Sequence, residues 1–179
     1  MEGRYNKAIF VPNENVFSDK YISLGRHTND CLDNLDFCQD GMTLSLWFKA
    51  PVPVALWSHL FSSTIALVYF KYETEMQMRM ETRYNSTHKQ LYLDNMPNVT
   101  LDQWHLLSYT YKQSDVKIYF DGCRVDPISK LKYENKTVRD FNLGSTSGRS
   151  SANINYDELR VWNVVKSPRF MYWLWKKPE

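Results

Sequence analysis

Glycine and proline are scarce, at 6 and 7 of 179 residues. Collagenous and low-complexity chains need several times that share, so both classes are excluded. An excess of one charge is also missing, since 22 basic residues against 20 acidic ones leave +2. That balance excludes a strongly basic nucleic-acid binder, and no nucleic-acid partner is expected. Apolar runs are short: Ile65–Phe70 extends for six residues, where a membrane-spanning helix needs about 20. No membrane insertion by this domain is therefore expected. The opening residues Met1-Glu-Gly-Arg-Tyr-Asn-Lys lack the apolar core of a secretion signal. The chain thus reads either as a cytosolic protein or as one domain, residues 1–179, cut from a larger secreted or membrane-attached protein. The second reading is preferred.

Cysteine is rare, and its placement matters. Cys31, Cys38 and Cys123 cannot all pair within one molecule. A bond between Cys31 and Cys38 would close an eight-residue ring around a polar segment, contributing at most ~2.5 kcal/mol through chain entropy. Reduced thiols in a cytosolic protein would also fit that spacing. With no CxxC and four histidines, a Cys/His zinc site is not expected. Cys123 follows a strand end and reads as unpaired, with a bridge between two chains as the alternative. A homodimer is accordingly one expected assembly.

Three Asn-x-Ser/Thr sequons begin at Asn85, Asn98 and Asn135. Chance alone gives about 1.8 in a chain with this Asn and Ser/Thr content. All three fall in polar, turn-like stretches where a glycan could project into solvent. Together with the close cysteine pair they favour an extracellular setting.

Aromatic residues make up 15% of the chain, which suits a sheet-rich fold. Met42, Leu44, Leu46 and Phe48 line one face of a period-two segment, as a half-buried strand requires. Met76, Met78 and Met80 do the same, and Ile65–Phe70 reads as a strand apolar on both faces. His105–Tyr111 and Val116–Phe120 flank a polar turn of hairpin length. Asn153–Trp162 reads as a further strand. Helix signals gather only at the end, where Ser167 is placed to cap and Pro168 to start a helix running to Trp175. Many short strands with regular turns predict an all-β, two-sheet antiparallel sandwich with a short C-terminal helix.

Enzyme chemistry is hard to find. Glycoside hydrolysis needs two facing carboxylates, and the nearest same-face pair, Glu73 and Glu75, lacks a central acid. No G-x-S-x-G elbow or phosphate-binding glycine loop occurs. Gly144–Ser151 resembles a phosphate cradle superficially but reads as a rim loop. His59 and His105 lack a paired nucleophile and read as sheet residues. Asp157 is expected to accept backbone N–H bonds, and Asp121-Gly122 to form a turn with positive φ.

The ordered segments resemble the laminin G-like and pentraxin-like domains of the concanavalin A-like jelly-roll superfamily. Phe17–Leu24 is similar to the early strand of that family. Cys31-x6-Cys38-x2-Gly41-Met-Thr-Leu-Ser-Leu-Trp-Phe-Lys49 is similar to its cysteine pair and first long strand. Trp104–Tyr111 and Val116–Gly122 match its Trp-His hairpin ending in Asp-Gly. Asn142–Ser145 and Tyr156–Asn163 match its closing strands. The resemblance implies a jelly-roll fold, a Cys31–Cys38 disulfide, and a non-enzymatic extracellular glycoprotein module of a receptor or adhesion protein. Its partner is then an extracellular protein, met by rim loops or a sheet face, or alternatively a carbohydrate bound with or without calcium. Ca²⁺ is the one cofactor this implies, with Asp30, Asp33, Asp36 and Asp94 as candidate oxygen ligands. Phe170–Trp175, followed by Lys176 and Lys177, is expected to cap the sandwich, with a membrane-interface anchor as the rival role.

Overall fold

The computed structural model describes residues 8–11, 21–27, 30–32, 37–51, 59–63, 67–72, 76–81, 97–112, 115–125, 140–144 and 153–177. In chain order the first strands are β1 (Ile9–Val11), β2 (Tyr21–Ser23), β3 (Met42–Lys49), β4 (His59–Ser62), β5 (Leu67–Tyr72) and β6 (Met76–Glu81). There follow β7 (Trp104–Lys112), β8 (Asp115–Phe120), β9 (Cys123–Val125), β10 (Asn142–Gly144), β11 (Ile154–Trp162) and the helix α1 (Pro168–Lys176). They form a six-stranded sheet, β1-β11-β3-β7-β8-β9, and a five-stranded sheet, β2-β10-β4-β5-β6. Every pairing is antiparallel. The all-β sandwich and its C-terminal helix are as expected. β5 begins two residues later than the apolar run, and residues 65 and 66 lie outside the described residues.

Alternation along β3 decides which side chains meet between the sheets. Met42, Leu44, Leu46 and Phe48 are fully buried and join Leu107, Tyr109, Ile118 and Phe120 in the main core. The five-stranded sheet contributes Leu60, Phe61 and Leu143 to the same cluster. Phe61 stacks on Phe141 at 5.7 Å. Each such side chain, removed from water, contributes roughly 1.5–3 kcal/mol. Tyr156 of β11 reaches across the sandwich, and its hydroxyl donates to the Leu60 carbonyl of β4 at 2.9 Å. Burial pushes that hydroxyl's pKa far up, so it stays a neutral donor.

The other face of the six-stranded sheet is covered as well. Trp47, Leu106 and Leu174 form a second buried cluster, flanked by Trp104, Trp162, Phe170 and Trp175. Helix α1 is therefore a lid on this face, held by Met171 and Leu174. Its start follows the capping rule: the Phe170 N–H donates to the Ser167 hydroxyl, and Pro168 opens the helix. The helix passes so close to Gly122 that a Cβ there would lie 3.0 Å from the Tyr172 Cα. The Thr43 hydroxyl donates to the Val164 carbonyl at 2.8 Å and accepts from the Lys166 N–H at 2.9 Å. Those two bonds fasten the segment leading into the helix.

Two sequence expectations about turns hold. Asp121 and Gly122 both have positive φ, 50° and 73°, as a two-residue turn between β8 and β9 demands. At Asp157 the β11–β3 register shifts, Glu158 takes φ 50°, and the Glu158 N–H donates to the Asp157 carboxylate at 2.8 Å. Glu158 also pairs with Arg160. Asp157 thus holds a bulge in place. No helix among the described residues is long and apolar enough to cross a membrane.

Candidate functional site

Cys31 and Cys38 form a disulfide, with their Cα atoms 5.3 Å apart. Cys38 is buried and belongs to the main core, while Cys31 and Leu32 pack against it from outside. The loop is thereby tied to the sandwich at its centre. At its exit the Gly41 N–H donates to the Cys38 carbonyl at 2.8 Å. Gly41 has φ +81°, and a Cβ there would lie 2.5 Å from both the Tyr111 carbonyl oxygen and Val165 Cγ2. Only glycine fits that approach of β7 and the pre-helix segment. The Val165 N–H reaches the Asp40 carbonyl at 3.3 Å, closing the same corner.

Between this loop and the end of β11 lies an open groove of about 430 Å³. Asp30, Cys31, Leu32 and Phe37 line one wall, and Val161 and Asn163 the other. The volume falls in the range of small-ligand sites, about 300–1,000 Å³. Phe37 is 52% exposed and Val161 39% exposed. Phe37 and Val161 thus leave apolar surface open to solvent beside the polar rim of Asp30 and Asn163.

Asp30 is positioned by its neighbours. One carboxylate oxygen accepts from the Leu32 N–H at 2.7 Å, and the other lies 3.1 Å from His27 Nδ1. Its side chain remains 47% exposed. The carboxylate is thus aimed by an Asx turn and a histidine at the edge of the groove. Asn163 is exposed on the facing wall and offers both a donor and an acceptor.

A second histidine–aspartate pair lies elsewhere. His105 Nδ1 and an Asp121 carboxylate oxygen are 2.7 Å apart, and the other oxygen accepts from the Leu106 N–H at 2.8 Å. The Thr100 N–H donates to His105 Nε2 at 3.1 Å. The ring is enclosed by Phe48 and Phe120, with centroids 5.8 and 5.0 Å away. This pair locks the β7–β8–β9 corner and touches no groove residue among its hydrogen-bond partners. His59 is likewise buried on β4.

Of the candidate calcium ligands, Asp30 lies at the groove, and Asp33, Asp36 and Asp94 lie outside the described residues. Among the described residues no three His, Cys, Asp or Glu side chains gather to hold a metal. Asn98 and Thr100 of one sequon are exposed, whereas Asn85 and Asn135 lie outside the described residues, as do Glu73, Glu75 and most of the Gly144–Ser151 loop. Cys123 is exposed and unpaired. Sequence reasoning missed Phe37, Val161 and Asn163. The one available signal was Phe37, an aromatic inside a polar, cysteine-closed loop.

Residues 18–169 match the laminin G model of the concanavalin A-like lectin/glucanases superfamily. The chain belongs to that family. Domain 4 of an extracellular arabinanase from Geobacillus stearothermophilus, solved with arabinotriose, is similar at 16% identity and TM-score 0.69, covering 98% of this chain and 80% of that one. The binding domain of Paraclostridial Mosquitocidal Protein 1 is similar at 15% identity and TM-score 0.68, covering 98% of this chain and 44% of that one. A heptameric pentraxin from Limulus polyphemus is similar at 12% identity and TM-score 0.51, covering 76% of this chain and 70% of that one. At these identities the likeness concerns the fold, which enzymes and binding proteins share. No curated protein matches the chain by sequence.

Proposed function

We propose that this domain is a non-catalytic recognition module of an extracellular protein, and that the groove beside the disulfide takes a sugar residue. The observation that carries the reading is Phe37, 52% exposed on the groove wall, with the Asp30 carboxylate and the Asn163 amide on the same rim. Pyranose and furanose rings present an apolar C–H face and an edge of hydroxyls. An exposed aromatic ring packs against the first, and a carboxylate with an amide hydrogen-bonds the second. The groove is shallow and open, which suits the end of a chain rather than an enclosed cofactor.

The binding of arabinotriose by a domain of the same fold adds support at the level of fold. Two of the described carboxylates, Asp121 and Asp157, are committed to structure, accepting backbone N–H groups that hold a turn and a bulge. The disulfide supports an oxidising compartment, and Asn98 of one sequon is exposed. A protein partner, the first expectation from the family resemblance, has no comparable set of residues behind it.

The test is a glycan array probed with protein secreted from eukaryotic cells, once with calcium and once with chelator. A small set of related neutral oligosaccharides is expected to bind, and Phe37→Ala and Asp30→Ala to abolish the signal. Blank arrays under both conditions would remove the reading. Binding lost only in chelator would assign calcium to the loop that carries Asp30, Asp33 and Asp36.

A further inference from the structure

Helix α1 has two faces of different character, and the groove explains neither. Met171 and Leu174 face the sheet and are buried. The opposite row, Arg169, Tyr172, Trp173 and Lys176, follows the i, i+3, i+4, i+7 spacing of one helical face, and all four are exposed. Tyr172 is 50% and Trp173 54% exposed, among the largest apolar exposures described. Each ring touches one aromatic of the lid, Tyr172 with Trp175 at 5.8 Å and Trp173 with Phe170 at 5.9 Å, yet half of each remains in water.

The helix and the segment leading into it carry charge of one sign. Residues 164–177 hold Lys166, Arg169, Lys176 and Lys177 and no acidic residue. Two of these cations sit against rings: Lys176 Nζ is 4.3 Å from the Trp175 ring centroid, and Lys166 Nζ is 5.3 Å from that of Phe170. Lys176 also lies over the outward Tyr172 ring, 6.0 Å from its centroid, whereas Lys166 sits over Trp162 and Phe170 at the edge of the buried cluster.

We propose that the outward face of α1 adsorbs to an anionic lipid surface, with Trp173 and Tyr172 at headgroup depth and the exposed Arg169 and Lys176 against lipid phosphates and carboxylates. Tyr and Trp rings, part apolar and part polar, favour the membrane–water interface. Neighbouring Lys and Arg residues are drawn to anionic leaflets. A soluble polyanion would satisfy the cations but leave the two rings in water, and a convex ridge suits a yielding surface better than a preformed pocket. This is contact at the headgroups, distinct from insertion of the chain across a bilayer. It is independent of the sugar reading.

The test is co-sedimentation of the 179-residue chain with vesicles of phosphatidylcholine alone and of phosphatidylcholine with phosphatidylserine. Binding is expected only to the second, and to fall as salt rises. Trp173→Ala is expected to weaken it roughly ten-fold, as loss of part of a large side chain's burial. Arg169→Gln with Lys176→Gln is expected to weaken it on the order of 25-fold, about five-fold per charge. Both variants change exposed residues, and unchanged melting curves confirm that they fold. Absence of binding to either vesicle would overturn the proposal. So would anionic binding that ignores Trp173→Ala and is matched by a soluble sulfated polysaccharide, because that outcome assigns the face to polyanions.

Discussion

His105–Asp121 and His27–Asp30 are the same pair of side chains at nearly the same separation, 2.7 and 3.1 Å. Their surroundings differ completely. The first is sunk between Phe48 and Phe120, with side chains 6% and 24% exposed. Its carboxylate also takes a backbone N–H, so the pair is a brace for a turn. The second is 34% and 47% exposed and borders an open groove with a bare phenyl ring. A polar constellation identifies a site only when open space and solvent adjoin it. Buried, the same constellation is architecture.

That contrast can be broken by substitution. The largest loss of stability is expected for Asp121→Ala, roughly 3 kcal/mol, since it strands the Leu106 N–H and the His105 ring and puts alanine at φ 50°. In a domain of this size the melting temperature should fall by about 6–12 °C. Asp121→Asn, which tolerates the left-handed backbone, should lose clearly less. Next comes Cys31→Ala with Cys38→Ala, about 2.5 kcal/mol by chain entropy, measured by urea unfolding. That variant should also lose sugar binding, because the wall carrying Phe37 is no longer tied to the core.

Asp30→Ala should cost under ~1 kcal/mol, as expected of an exposed pair, yet abolish binding on the array. The smallest effect is expected on the lidded face of the six-stranded sheet. Ser45 and Ser108 stand opposite each other in register, both buried, and neither hydroxyl has a hydrogen-bond partner among the described residues. Ser45→Ala should therefore change stability by no more than about 0.5 kcal/mol, in the direction of a gain. A loss well beyond that would mean that a water or another group partners the hydroxyls.

The fold was largely legible before any coordinates. Period-two alternation in β3 placed Met42, Leu44, Leu46 and Phe48 in the core, and Ser167-Pro168 placed the start of α1. Asp121-Gly122 gave the turn because few other residue pairs accept positive φ twice. Two short strands, β1 and β9, escaped notice, since three residues are too few to display a period, and β4 was marked only by the reading of His59 as a sheet residue. The groove was half legible. Asp30 and the cysteine pair drew attention by type, but Val161 and Asn163 reach the same place only through the closure of β11 on β3 and the fastening at Gly41. No local pattern records that meeting. The aromatic run of α1 was ambiguous for another reason: in sequence, ring residues facing the sheet and ring residues facing water look alike.

The measurement that bears most directly on the contrast is calorimetric titration of the best array glycan into the wild-type chain, Phe37→Ala, Asp30→Ala and Asp121→Asn. The account predicts that the two groove variants lose at least about ten-fold in affinity, worth 1.4 kcal/mol, while melting within ~2 °C of wild type. Asp121→Asn should melt lower and bind as before at a temperature where it is folded. Unchanged affinity in Phe37→Ala and Asp30→Ala, with the loss falling on Asp121→Asn instead, would contradict it.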